Sequence, residues 1–293
     1  MLLESVPNFS EGRDPEVIDE LRAALGAPPA RLLDVHVDPD HHRSVFTLVA
    51  EAEPLVETLL AGIACARERI DLTRHMGAHP RIGAADVVPL VPLRPGEMEH
   101  ARQAALVLGR RVGEELGLPV FLYGDNGAGR GPAFFRRGGP GELQRRIEAG
   151  DVTPDFGPSV LDLRAGGVII GARRPLIAFN VNLRGDLAAA RGVASGVRES
   201  GGGFPGVRAL GLILPHAGHV QVSMNVEDWE AAALHEIVAQ VEAEARGHGA
   251  EVIGSELVGL MPAGAAVAAA GEILRIDGFD ASHVLELRLL QSD

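Results

Sequence analysis

The order of periodic segments constrains the fold of this chain more than any single motif does. Residues 2–6 can form a strand, and Asp14 with Pro15 supplies an N-cap and first-turn proline for a helix striped by Val17, Ile18, Leu21 and Leu25. Two strands at 31–37 and 43–51 are joined by a short turn containing Asp38, Pro39 and Asp40. A helix at 54–70 then places Leu55, Leu59, Ile63 and Ala66 on one face, and residues 85–93 read as another strand. From residue 175 the same succession starts again. It runs through a strand at 175–183, a helix at 186–199, strands at 207–215 and 219–226, a helix at 228–246 with Asp228 as its N-cap, and a strand at 251–257. This predicts an α/β (α+β) chain of two ferredoxin-like βαββαβ subdomains, 1–174 and 175–293, with sheets facing a central cleft and helices outside. Between the rounds lie a helix at 97–116 and a strand at 120–124. The glycine-rich stretch 125–140 after them is expected to be a mobile or ligand-gated loop.

Charge and composition narrow the function classes. A net charge of −13 argues against nucleic acid or an anionic membrane surface as partner. No apolar run is long enough to span a bilayer, and the start MLLESVPNFSEGR lacks the features of a signal peptide, so a cytoplasmic location is expected. The single Cys65 excludes an intrachain disulfide and a cysteine-based metal site. All 27 basic residues are arginine. That excludes a lysine Schiff base and the lysine of a GxxxxGK[ST] loop, and leaves arginine forks, suited to carboxylates, to hold any anion.

Three polar clusters are candidates for chemistry. The stretch RHMGAHPRIG, residues 74–83, holds His75 and His79 four apart, but Pro80 and Gly77 oppose a helix there and Met76 stands where a zinc HExxH motif has glutamate. A rigid loop is the better reading, either structural or with a histidine placed for proton transfer near neutral pH. Residues 34–45 gather Asp34, His36, Asp38, Asp40, His41 and His42, read as a solvated turn, a substrate-contacting turn, or the metal cluster of a hydrolase. Residues 153–167 read as a Pro- and Gly-rich linker whose glycines would also let backbone amides approach a flat ligand. His216 and His219 fall on a predicted hairpin tip and are taken as structural.

The strings VPNFSEGR (6–13), DHHRSVFTLV (40–49), RHMGAHPRIGAADVVPLVPL (74–93), PDFGP (154–158), GARRPLIAFNVNL (171–183), QVSMNV (221–226) and SELVGLMP (255–262) occur in that order. With them, residues 3–275 resemble the formiminotransferase family, the transferase half of formiminotransferase-cyclodeaminases. No cyclodeaminase-like segment follows, so a standalone transferase is expected. The resemblance implies transfer of a formimino group from N-formimino-L-glutamate to N5 of tetrahydrofolate, a co-substrate, in histidine degradation and one-carbon metabolism. It implies His79 of the HPR motif as the catalytic histidine. It also assigns folate binding to Gly157, Pro158, Ser159, Val160, Leu161, Asp162, Leu163, Arg164, Ala165 and Gly166. Asn8, Asp38, His42, Arg43, His75, Arg81, Arg173 and Asn180 are further candidates for substrate contact; Arg43, Arg81 and Arg173 would serve carboxylates. No metal is expected, and a homodimer is. Where the family usually has asparagine before the arginine of its DHNRS-like string, this chain has His42. Alternatives are a folate-binding protein without transfer activity, a formyl transferase, and a metal-dependent hydrolase built on residues 34–42.

Overall fold

The computed structural model describes residues 1–94 and 96–290, which divide into two compact units, Met1–Arg174 and Pro175–Asp293. The first unit contains β1 (Leu2–Ser5), β2 (Asn8–Phe9), α1 (Pro15–Leu25), β3 (Arg31–Asp38), β4 (Arg43–Glu51), α2 (Ala52–Arg69) and β5 (Ala85–Pro92). It continues with α3 (Met98–Glu115), β6 (Val120–Leu122), α4 (Pro132–Arg136), α5 (Gly139–Glu148) and β7 (Val168–Ala172). Asp14 caps α1 as its sequence requires, accepting from the amides of Glu16 and Val17, with Pro15 at the first turn and Val17, Ile18, Leu21 and Leu25 buried. Leu55, Leu59, Ile63 and Ala66 of α2 fill the same core.

The sheet runs β3–β4–(β1, β2)–β5–β7–β6, antiparallel up to β5 and parallel from β5 through β7 to β6. Its parallel half is covered on both faces. Val88, Leu90, Val120, Val168 and Ile170 join the core of α2 and α3. Val87, Ile169, Phe121 and Tyr123 instead join a second core with Phe135, Leu143, Ile147 and Val152 from the α4–α5 segment. Burial on both faces explains why β5 and β7 read as continuous apolar runs without alternation.

That second core corrects the expectation for residues 125–140. The stretch is a 3-10 turn followed by α4, with Phe135 buried against Phe121 at 5.2 Å between ring centroids. Helix α5 and strand β7, neither expected from sequence, complete the layer. β7 was hidden because GGVIIGA is short and follows a glycine- and proline-rich connection that reads as a linker.

The second unit repeats the βαββαβ order with β8 (Ile177–Arg184), α6 (Leu187–Val197), β9 (Val207–Leu214), β10 (His219–Val226), α7 (Leu234–Gly247) and β11 (Glu251–Val258). Its sheet is antiparallel throughout in the order β11–β8–β10–β9, and α6 and α7 share its core. Asp228 does accept an amide, from Ala231, but the residues after it form a turn and α7 starts at Leu234, later than its sequence suggests. The small-residue helix α8 (Ala263–Leu274), whose alanines mark no apolar stripe, and α9 (Leu285–Leu290) follow. Both units are therefore α+β.

Candidate active site

The stretch from His75 to Gly83 lies between a 3-10 turn, capped by Asp71 through Thr73, and the start of β5. It is a loop, as Pro80 and Gly77 require, so His75 and His79 do not share a helix face. The two rings pair with histidines from elsewhere in the chain. His79 stacks on His41, centroids 5.9 Å apart and planes 21° apart, and His75 packs on His42 at 4.2 Å. His41 and His42 sit in the turn between β3 and β4, and the amide of Ala78 donates to the Asp40 carbonyl (3.2 Å), so two segments about forty residues apart form one site.

The 38–42 turn is not a solvated tip. Asp38, Asp40 and His41 are buried, His41 completely. Asp38 Oδ1 accepts from the amides of Asp40 and His41, both at 2.9 Å, which closes the turn. His42 adopts a left-handed φ of 49°. Histidine is among the few non-glycine residues that tolerate this conformation, so His42 suits the backbone of the turn. Its Nδ1 accepts from the Gly12 amide at 3.2 Å, which ties the 11–13 segment to the site.

Arg81 joins the two segments. Its Nη2 donates to the His41 carbonyl (2.7 Å) and the His79 carbonyl (2.9 Å), its Nη1 to the His42 carbonyl (2.9 Å), and its Nε to the His79 carbonyl (3.2 Å). His75 Nε2 lies against Nη1 and donates to the same His42 carbonyl at 2.8 Å. Each guanidinium nitrogen thus donates to at least one backbone carbonyl of the two segments. Gly77 makes this packing possible, since a Cβ there would lie 2.3 Å from the His41 carbonyl oxygen and 2.7 Å from Arg81 Nη2.

The electrostatics of the site favour the neutral forms of His42, His75 and His79. Burial, then the charges of Arg43 and Arg136, keep the His79 pKa well below the usual histidine value, with His41 and Arg81 adding to the effect. Burial and Arg81 bring His75 down to about 4, and burial also lowers His42. The neutral His79 ring has a defined tautomer: Nδ1–H donates to the Pro80 carbonyl at 2.9 Å, leaving the lone pair on Nε2. A neutral imidazole with a fixed basic nitrogen, ringed by cations, can accept a proton near neutral pH.

Two residues not singled out from sequence complete the surroundings. Asp86 on β5, 4% exposed, accepts from the Ile82 amide through Oδ1 (2.6 Å) and pairs through Oδ2 with Arg136 of α4. The signal for Asp86 was its position: a carboxylate inside the apolar run AADVVPLVP needs a buried partner. Nothing in the sequence pointed to Arg136, whose segment reads as a loop.

Residues 157–166 adjoin the His79 loop. Gly167 donates to the Ile82 carbonyl (3.0 Å), Ala84 to the Ala165 carbonyl (2.8 Å) and Leu72 to the Arg164 carbonyl (2.8 Å). At the other end Gly157, with φ 79°, lies against α3, where a Cβ would meet the Leu118 carbonyl oxygen at 2.2 Å. Asp162 accepts from the Arg164 and Ala165 amides, and Leu161 is buried. Pro158, Ser159, Val160 and Leu163 project outward, Leu163 with 88% of its surface exposed.

The remaining candidates divide. Arg43 opens β4 beside His42 and is the strongest charge acting on His79. Asn8 lies in β2 opposite Val45 and Val87, its amide donating to the Val6 carbonyl at 3.0 Å. Arg173 is not gathered in. It follows β7, and its amide donates to Leu90, five residues into β5 and therefore about 16 Å along the strand from the end that the His79 loop enters. Asn180 belongs to the second unit, where it donates to Glu256 Oε2 at 3.0 Å beside Gln221 and Asn182.

Residues 2–173 match the family described as "Formiminotransferase domain, N-terminal subdomain", and residues 178–279 match "Formiminotransferase domain". The chain is 40% identical over 299 residues to a "Glutamate formimidoyltransferase" of Thermoplasma acidophilum, covering 98% of this chain and 97% of that one. It is 38% identical to a protein of the same name from Streptococcus pyogenes serotype M1, covering 99% of each. A "Formimidoyltransferase-cyclodeaminase" of Sus scrofa is 41% identical over 89% of this chain but only 50% of its own length. Matched in both units and along nearly its whole length, the chain belongs to the formiminotransferase family.

Proposed function

We propose that this chain is a glutamate formimidoyltransferase, moving the formimino group of N-formimino-L-glutamate to N5 of tetrahydrofolate, with His79 as general base and then general acid. Membership of the family and two near-full-length relatives of that name support the activity. The observation that carries the role of His79 is its neutral ring, with Nδ1 tied to the Pro80 carbonyl and Nε2 left as the basic nitrogen. As N5 bonds to the formimino carbon, the C=N electron pair moves onto nitrogen and N5 becomes cationic. His79 Nε2 takes the N5 proton. The imidazolium then returns a proton to the glutamate nitrogen while the carbon–nitrogen bond breaks, so that an amine leaves instead of an amide anion. The surrounding arginines favour return of that proton, because they disfavour the imidazolium.

Residues 157–166 form the folate-contacting edge in this reading. Their exposed Val160 and Leu163 offer apolar surface to a flat ring, and their backbone bonds to residues 82–84 fix that surface relative to the His79 loop. The test is incubation of the purified protein with formiminoglutamate and tetrahydrofolate, then acidification to 5,10-methenyltetrahydrofolate, read by absorbance. Absence of product from folded protein refutes transfer, and tight folate binding in that case would mark a binding protein. His79→Ala is expected to lower kcat by roughly 10² to 10⁴-fold with folate affinity retained; an unchanged rate removes His79 from the role.

A further inference from the structure

The guanidinium of Arg81 contacts backbone from two segments that both carry stacked histidines. From the 38–42 turn it holds the carbonyls of His41 and His42, and from its own loop it holds the carbonyl of His79. Nη2 alone bridges the His41 and His79 carbonyls, at 2.7 and 2.9 Å, which are the two residues whose rings stack. The same segments are also joined by the backbone bond from the Ala78 amide to the Asp40 carbonyl and by the bond from His75 Nε2 to the His42 carbonyl. The contact is built for this shape: a side chain at position 77 would overlap both Arg81 Nη2 and the His41 carbonyl oxygen.

We propose that Arg81 is a positioning residue, a clamp that locks the 38–42 turn against the 75–82 loop and so sets the direction of the His79 ring, and is not a carboxylate-binding fork. Its catalytic consequence rests on the proposed role of His79; the clamp itself does not. Three carbonyls from two segments require a planar, multi-donor group, and the compact ammonium of lysine cannot reach them together. Displacing a catalytic group by about 1 Å costs on the order of 10²-fold in rate. Loss of the clamp therefore appears in kcat, whereas loss of a carboxylate fork appears in the KM for the carboxylate-bearing substrate.

The experiment compares wild type, Arg81→Lys and Arg81→Ala by transfer kinetics and by amide hydrogen exchange at Ala78. The expected result for Arg81→Lys is a kcat lower by about 10²-fold, with KM for both substrates within about threefold of wild type. Exchange at Ala78 is expected to accelerate while the amides of α2 stay protected, and added guanidinium ion is expected to restore part of the Arg81→Ala rate. A raised KM for formiminoglutamate with kcat unchanged overturns the proposal and returns Arg81 to carboxylate binding. So does unchanged Ala78 exchange in Arg81→Lys. If wild type shows no transfer, the functional reading falls and Ala78 exchange alone decides the clamp. If Arg81→Ala does not fold, Arg81→Lys carries the comparison.

Discussion

Gly166→Ala tests whether the 157–166 segment and the His79 loop are held as one piece. Gly166 has a φ of 71°, and a Cβ there would stand 2.0 Å from the Ile82 carbonyl oxygen, 2.9 Å from its carbon and 3.0 Å from Gly83 Cα. All three are backbone atoms of the neighbouring segment, so no side chain can swing aside. A left-handed non-glycine residue costs about 1–2 kcal/mol. Relief of the overlap requires the segments to part, which breaks the bonds from Gly167 to Ile82 (3.0 Å) and from Ala84 to Ala165 (2.8 Å). Each such bond contributes about 1 kcal/mol net, so the total loss is about 3–4 kcal/mol, a large part of the roughly 5–15 kcal/mol that stabilises a domain. Gly117→Ala is the control, because Gly117 has a similar φ of 62° with nothing within 4 Å of the added Cβ. It bears only the conformational cost of about 1–2 kcal/mol. Urea unfolding followed by far-UV circular dichroism measures both. The midpoint for Gly166→Ala should fall further, by an amount equivalent to about 2 kcal/mol, at unchanged m. If the two variants lose the same stability within about 0.5 kcal/mol, the close packing of the two segments carries no energy and the reasoning fails.

Other expectations concern the charges around His79. Because its pKa lies below the usual histidine value, the acid limb of kcat/KM should fall below pH 6.5, and Arg136→Gln, which removes a cation, should move that limb to higher pH; an unmoved limb would separate Arg136 from the site. Arg136→Gln also leaves the buried Asp86 without its ion-pair partner, and a loss of about 3–5 kcal/mol is expected in chemical unfolding, largely recovered in the Arg136→Gln/Asp86→Asn double variant. Equal stability of single variant and wild type would mean the pair does not hold α4 to β5. His75 and His79 both bind a proton less readily folded than unfolded. Stability should therefore be complete above about pH 6.5 and decline as pH falls below it, for His75 down to about 4. Calorimetry between pH 8 and 4 on wild type and a His75→Gln variant, which should show a shallower decline, checks the sign.

Local chemistry made some of this legible beforehand. Asp14 and Pro15 could only start a helix, the apolar spacing of α2 could only face a core, and Pro80 excluded a helical histidine pair. These are interactions among residues close in the chain, and their geometry is written in spacing. The identity of His79 as the candidate base also came from the sequence, through the order of its motifs and not through its surroundings.

What the spacing could not reveal was the pairing of distant segments. His75 and His79 lie four apart in sequence, yet pairing of β2 with both β4 and β5 sets the 38–42 turn beside the loop and gives each ring a different histidine. The role proposed for Arg81 rests on the same packing: its acceptors include the carbonyls of His41 and His42, which only tertiary structure delivers. Asp86 with Arg136, and α4 with Phe135, likewise acquire meaning only from the second core on the far face of the sheet. The sequence by itself determined the elements and the chemically able residues, because caps and periodicity act within a few residues. Tertiary structure decided the neutrality and neighbours of His79, because burial and contacts with distant segments set them and neither is encoded locally.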